Sequence, residues 1–251
     1  MNKNEARYFT AAERLLPDLT TLPIALLAKS LIVKIRRRTA GRLLDLHTRM
    51  VWTRELVCDA EGPAAGVRNY LEHRTIRALL TQISQERPIR RACDVGCGYG
   101  RLTMVLQEFA AEVTGYEREA DLVRIASALL PGIRFENVAA LTAITDSKPY
   151  DVAMTCAVLQ HLTDAEARQA CAMLRNLAAG GYVLMIEKTE PYLITENTTD
   201  RDRFISRARS VDTYEEYMKP FVLLSVTDRV VEPTCPNPRP GMCMLFRTGT
   251  P

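Results

Sequence analysis

No cysteine pair at C-x-x-C spacing, no Cys/His cluster at zinc spacing, no long apolar run and no repeat or low-complexity tract occurs in this 251-residue chain. The seven cysteines, at 58, 93, 97, 156, 171, 235 and 243, are odd in number and scattered, which excludes a disulfide framework and a zinc site and fits a reduced, cytoplasmic setting. The most apolar stretch, Leu22 to Ile35, is broken by Pro23, Lys29 and Lys34 and falls short of the roughly 20 apolar residues a spanning helix needs, so no transmembrane segment is expected. The start, MNKNEARYFTAAER, lacks the basic, apolar and small-residue stretches of a secretory signal. A net charge of +3 on 33 basic and 30 acidic residues is too small an excess to suggest a nucleic-acid partner. With 47% hydrophobic and 25% charged residues the composition is that of an ordinary globular protein, large enough for one α/β domain with a helical appendage.

The pattern changes near Pro88. Before it only helical spacings occur: Leu22, Leu26, Leu27, Leu31 and Ile35, then Leu71, Leu79, Leu80 and Ile83, with EGPAAG (Glu61 to Gly66) between them as an expected loop. After it short apolar runs alternate with amphipathic segments, the signature of a parallel sheet with crossover helices. Residues 1–87 therefore read as a helical cap or extension and 88–251 as the α/β domain. The expected strands are Arg91 to Val95, Glu112 to Tyr116, Gly132 to Glu136, Tyr150 to Thr155 and Tyr182 to Glu187. A helix is expected from Arg101 with Leu102, Val105, Leu106 and Phe109 on one face, and another over Leu122 to Leu130. A third starts at the T-x-x-E capping box of Thr163 and Glu166 and stops at Gly180-Gly181. Phe221 to Val231 and Met242 to Thr248, joined by PTCPNPRPG, read as an antiparallel hairpin on the sheet edge.

The chemistry concentrates in Asp94-Val95-Gly96-Cys97-Gly98-Tyr99-Gly100-Arg101, between an expected strand and helix. Glycines there allow a tight turn and close approach of a ligand to the backbone, and a helix start offers unpaired N–H groups. Glu117 ends the next strand, where doubly wound folds place the carboxylate that grips ribose hydroxyls. The stretch Tyr150-Asp151-Val152-Ala153-Met154-Thr155-Cys156-Ala157-Val158-Leu159-Gln160-His161-Leu162-Thr163-Asp164 forms a third element.

These three elements, over about residues 90 to 190, resemble class I (Rossmann-like) S-adenosylmethionine-dependent methyltransferases. The resemblance implies a sheet of about seven mostly parallel strands with the last antiparallel, and S-adenosyl-L-methionine lying across the strand ends. It places Asp94, Gly96, Cys97, Gly98, Tyr99 and Gly100 around the methionine part, Glu117 on the ribose, Arg118 beside the adenine and Cys156 in the pocket wall. The acid that relatives carry after the third strand is Val138 here, leaving backbone groups or Asn137 for the adenine amino group. His161 is the candidate general base, with packing or a hydrogen bond beneath the strand-to-helix turn as the alternative, and Glu187 a candidate to bind or deprotonate an acceptor, with a surface charge or helix cap as the alternative. Arg201, Arg203, Arg207 and Arg209 are candidates for holding an anionic substrate, with a solvated helix face as the alternative. Tyr70 and His73 are candidates for a lid. Lys34 and Arg36 to Arg38 suggest either a membrane-surface helix or, more simply, one that covers the active site or a homodimer partner. The function implied is methyl transfer to an O or N atom of a small molecule. The alternatives are a protein α-N-terminal-like methyltransferase, a non-catalytic cofactor-binding module and a nicotinamide-dependent oxidoreductase, the last disfavoured by a loop that lacks G-x-x-G spacing.

Overall fold

The computed structural model describes residues 63–189, 207–229 and 241–249, with side chains from Tyr70 on. The N-terminal expectations over residues 22–38, the Pro-rich link over 233–240, and Arg201 and Arg203 lie outside the described residues. Tyr70 to Pro251 fall in one compact unit.

Helix α1 runs Pro63–Glu86. The expected loop EGPAAG thus gives up its last four residues to a helix, because proline has no N–H to lose at a first helical position and its fixed φ suits one. Ile76, Leu80 and Ile83 of α1 are fully buried, each contributing about 1.5–3 kcal/mol by leaving water. The sheet contains β1 (Arg91–Val95), β2 (Glu112–Glu117), β3 (Arg134–Asn137), β4 (Val152–Cys156), β5 (Tyr182–Glu187), β6 (Val222–Asp228) and β7 (Met242–Arg247). Its order is β3-β2-β1-β4-β5-β7-β6. The first five strands pair in parallel, while β7 runs antiparallel to both β5 and β6. The expected hairpin is therefore present, with β7 inserted next to β5 and β6 left at the edge.

Every residue of β5 is buried, and β1 and β4 are nearly so. Such continuous burial belongs to parallel strands covered on both faces. The helices after β1 and β2 are α2 (Thr103–Leu106) and α3 (Ala120–Leu129). The reading of a helix from Arg101 that carries Phe109 on its face is corrected: α2 is a single turn, followed by i to i−3 bonds such as Glu108 N to Val105 O at 3.1 Å. Helix α4 (Asp164–Leu177) opens with both halves of the capping box formed, and it buries Ala167, Ala170, Cys171 and Leu174 against the sheet. Helix α5 (Val211–Met218), capped by Ser210, adds Tyr214 and Met218 to the same core cluster. Among the described residues no helix is long and apolar enough to cross a membrane.

Candidate active site

The order places β1 and β4 side by side where the chain reverses direction across the sheet, and ligands of such folds sit outside the carboxyl ends of the strands at that point. The glycine loop leaves β1 there. Gly96, at φ 75, has no room for a side chain: a Cβ would come within 2.3 Å of Val158 Cγ2. Gly98, at φ 57, faces open space on its Cβ side, as a loop that receives a ligand must. The loop is tied to the end of β2 by the N–H groups of Gly96 and Cys97, which donate to the Tyr116 carbonyl at 2.8 and 3.1 Å. Side chains of Cys97 and Tyr99 are buried, leaving their backbone as what they offer a ligand. With α2 only one turn long, the polarity of the site comes from loop N–H groups and carboxylates and not from a helix dipole.

Asp94 lies under the loop, accepting from Thr103 Oγ1 at 2.6 Å. Burial pushes its carboxyl up to about 7, against the Thr103 hydroxyl and the Arg101 charge, which lower it. Glu117 closes the other side: Oε2 accepts from Gly98 N at 2.9 Å, and Oε1 from Arg118 N at 2.8 Å and Glu119 N at 3.0 Å. It is 8% exposed, so this strand-end acid is inside the molecule and not on its surface. Arg118 points its side chain to solvent beside Glu119. Asn137 spends its amide on the carbonyls of Glu117 and Arg118, at 3.0 and 2.8 Å, which shapes the turn after β2. Val138 donates its N–H to Glu117 O at 2.9 Å and packs on the main core cluster.

The turn after β4 carries the remaining candidates. Ala157 adopts φ 56, a conformation that costs a residue with a Cβ about 1–2 kcal/mol. Val158 to Leu162 then form a tight turn around a short 3-10 helix, Leu159–His161. His161 is half-buried, with Nε2 3.1 Å from Gln160 Nε2. Which of the two nitrogens donates follows from the tautomer of the ring. Glu187 departs from the expectation of an acid facing an acceptor. It is fully buried, and its carboxylate accepts from the N–H groups of Val158, Leu159 and Gln160 at 3.1 Å each. Burial pushes it up to about 7 against those three bonds. Arg209 is likewise no solvated or substrate-seeking group. It is 5% exposed and donates to the carbonyls of Leu159 and Leu162 at 2.7 Å each and to Asp164 at 2.9 Å.

One part of the site is not legible in the motifs. Glu72 of α1, fully buried, forms ion pairs with Arg101, just after the glycine loop, and with Arg229, just after β6, the latter at 2.5 Å. Arg229 also lies 3.1 Å from Cys156 Sγ, whose thiol burial pushes up to about 12 and so keeps unreactive. The nearest sequence signal was GVRNYLEHR, where Tyr70 and His73 stand out. Tyr70 is 60% exposed and His73 buried, and the glutamate between them makes the connection.

Asp94 and Glu187 both have folded values near 7, above their unfolded 3.8 and 4.5. Between those limits the native state binds more protons than the unfolded chain, so stability falls as pH rises, by up to about 1.4 kcal/mol per pH unit for each group. Asp146, lowered to about 2 against burial by bonds from Tyr150, Lys148 and Arg91, works oppositely, but only below its unfolded 3.8. The ligand-free protein is therefore expected to melt at a higher temperature near about pH 5.5 than near about pH 7.5. A flat or rising melting curve across that window would show that neither acid is held protonated.

Residues 92–181 match the family model described as a methyltransferase domain. A stretch of 93 residues is 34% identical to trans-aconitate 2-methyltransferase of Rhizobium etli, covering 36% of each chain. Another of 143 residues is 29% identical to the ubiquinone biosynthesis O-methyltransferase of Colwellia psychrerythraea, covering 49% of this chain and 58% of that one. The chain thus spans 36% and 58% of the length of the curated relatives it matches. Among solved structures, that of an S-adenosylmethionine-bound amino pentose methyltransferase from Micromonospora echinaspora involved in calicheamicin biosynthesis aligns with a TM-score of 0.54. It is 18% identical, with 70% of this chain and 92% of that one covered, a likeness of fold.

Proposed function

We propose, from the class I methyltransferase fold that this chain carries, that it transfers the methyl group of S-adenosylmethionine to an O or N atom of a small-molecule acceptor. Residues 88–251 are assigned the catalysis and 1–87 the role of a helical extension to it. The observation that carries the proposal is the joint geometry of Gly98 and Glu117: an open glycine position, bonded to a buried carboxylate, above the β1/β4 reversal. A small-molecule acceptor is supported by the names of both curated relatives.

The residues present fit the cofactor. The loop from Gly96 to Gly100 offers N–H groups and an uncrowded surface to its methionine part, and Glu117 offers two oxygens to its ribose. When bound, it supplies a methyl group on a sulfonium: the acceptor lone pair forms the new bond as the C–S bond breaks, and the electron pair stays on sulfur. The chain itself must then align the acceptor and take its proton. His161 is assigned that proton, at Nε2, the ring nitrogen that lies 3.1 Å from the Gln160 amide. The buried Asp94 is assigned the support of the loop from below through Thr103, and the Glu72–Arg101–Arg229 cluster the charge balance along the same edge.

Calorimetric titration with S-adenosylmethionine, S-adenosylhomocysteine and NAD is the direct test, followed by a metabolite screen for products heavier by one methyl group. Binding of both sulfur compounds and not of NAD is expected. Binding of NAD alone, or cofactor binding with no methylated product from any acceptor class, would replace the proposal with one of the rival functions.

A further inference from the structure

The turn between β4 and α4 is held from two sides by buried groups for which the methyl-transfer reading has no use. Glu187, from the end of β5, takes three of its N–H groups, those of Val158, Leu159 and Gln160. Arg209 takes the carbonyls of Leu159 and Leu162, and the Arg207 N–H takes that of Gln160 at 2.7 Å. Signs are matched to the backbone, a carboxylate on the donors and a guanidinium on the acceptors, and each such bond is charge-assisted. A surface turn would leave those six groups to water, whereas here side chains and backbone distant in sequence fix them. The left-handed Ala157 at the start of the turn is the kind of conformation that persists only where its surroundings over-determine it.

We infer that Glu187 and Arg209 are a pair of positioning residues for His161. Together they fix the backbone of 158–162 so that the imidazole meets the acceptor in one orientation and one tautomer. The inference rests on His161 being the base of the proposed reaction. Neither residue touches the acceptor: the carboxylate and the guanidinium are both turned to the backbone of the turn, and their effect reaches the reaction through the ring that the turn carries. Glutamine at 187 would keep one carbonyl oxygen but would aim an NH2 group at a backbone N–H. Lysine at 209 would replace a fork of donors by a single point.

The test is ¹⁵N histidine spectroscopy of the full-length chain without ligand, with His161 assigned by its absence from the His161→Gln spectrum. Wild type should show the His161 ring in a single tautomer. Glu187→Gln and Arg209→Lys should each show mixed tautomers at the same pH. Affinity for S-adenosylhomocysteine, read by calorimetry, should stay within about threefold of wild type, because the bonds of Glu187 and Arg209 named above go to the turn and the start of α4 and not to the glycine loop or Glu117. With the acceptor found by the metabolite screen, kcat should fall about tenfold or more while KM for S-adenosylmethionine changes by less than about threefold. Folded variants with the wild-type His161 spectrum would overturn the inference, as would a loss of cofactor affinity equal to the loss in kcat. Should Glu187→Gln not fold, Arg209→Lys alone decides, since it leaves the carboxylate and its three bonds in place. Failure of wild type to bind S-adenosylhomocysteine would strike the proposed function instead, and the ligand-free spectra distinguish the two cases.

Discussion

Glu117→Ala is expected to weaken S-adenosylmethionine and S-adenosylhomocysteine alike, by about 10-fold to 100-fold. A carboxylate accepting from ribose hydroxyls makes charge-assisted bonds, which are worth roughly 1.5–3 kcal/mol, and each 1.4 kcal/mol is about a factor of ten. Both ligands share the ribose, so both should lose equally. The fold adds a second source of loss. Glu117 also accepts from the N–H groups of Gly98, Arg118 and Glu119, and alanine would leave all three without that partner at the loop proposed to receive the cofactor. Because the residue is buried, a lower melting temperature is expected as well, and the binding comparison must be made at a temperature where the variant is folded. Glu117→Gln separates the two effects, since its one carbonyl oxygen can serve either the turn at Arg118 or the loop at Gly98 but not both. Equal cofactor affinity in wild type and a folded Glu117→Ala protein would remove the ribose assignment and with it the observation on which the proposed function stands.

The second large effect is on turnover. His161→Ala should lose on the order of 10²-fold or more in kcat while binding the cofactor almost unchanged, because a base acts on the acceptor and not on the sulfonium. The ring is half-buried at the end of a short helix, whereas the bonds of Glu187 and Arg209 go to main-chain groups of the turn, so its removal should leave that clamp standing. An unchanged kcat with the identified acceptor would make His161 a packing residue. In that case the tautomer that the clamp selects would have no catalytic meaning.

The sequence by itself determined most of the sheet and pointed to the loop proposed to hold the cofactor. Arg91–Val95 and Tyr182–Glu187 were legible as strands to the residue, because a strand buried on both faces is an apolar run bounded by residues of other character. The capping box at Thr163 and Glu166 fixed the start of α4 for an equally local reason: each side chain bonds a backbone group three positions away. The glycine loop and Glu117 were legible because their spacing follows from one strand, one turn and the next strand. Errors of local reading came where short-range signals were weak, as at Pro63, which opens a helix, and at Arg101, where apolar spacing suggested a helix that closes after one turn. Only the tertiary structure decided what the isolated charges do. Glu187 and Arg209 looked like groups available to a substrate because nothing in a sequence says that a side chain turns back to backbone about 30 or 50 positions away; burial converts such a charge from a ligand for solvent or substrate into a fastener for main-chain dipoles. Glu72 gave no signal at all, since its partners Arg101 and Arg229 come from distant parts of the chain and meet it only when α1, the glycine loop and the end of β6 converge. A motif is local geometry written in local spacing, whereas the charge balance of an active-site edge belongs to the packing of the whole sheet.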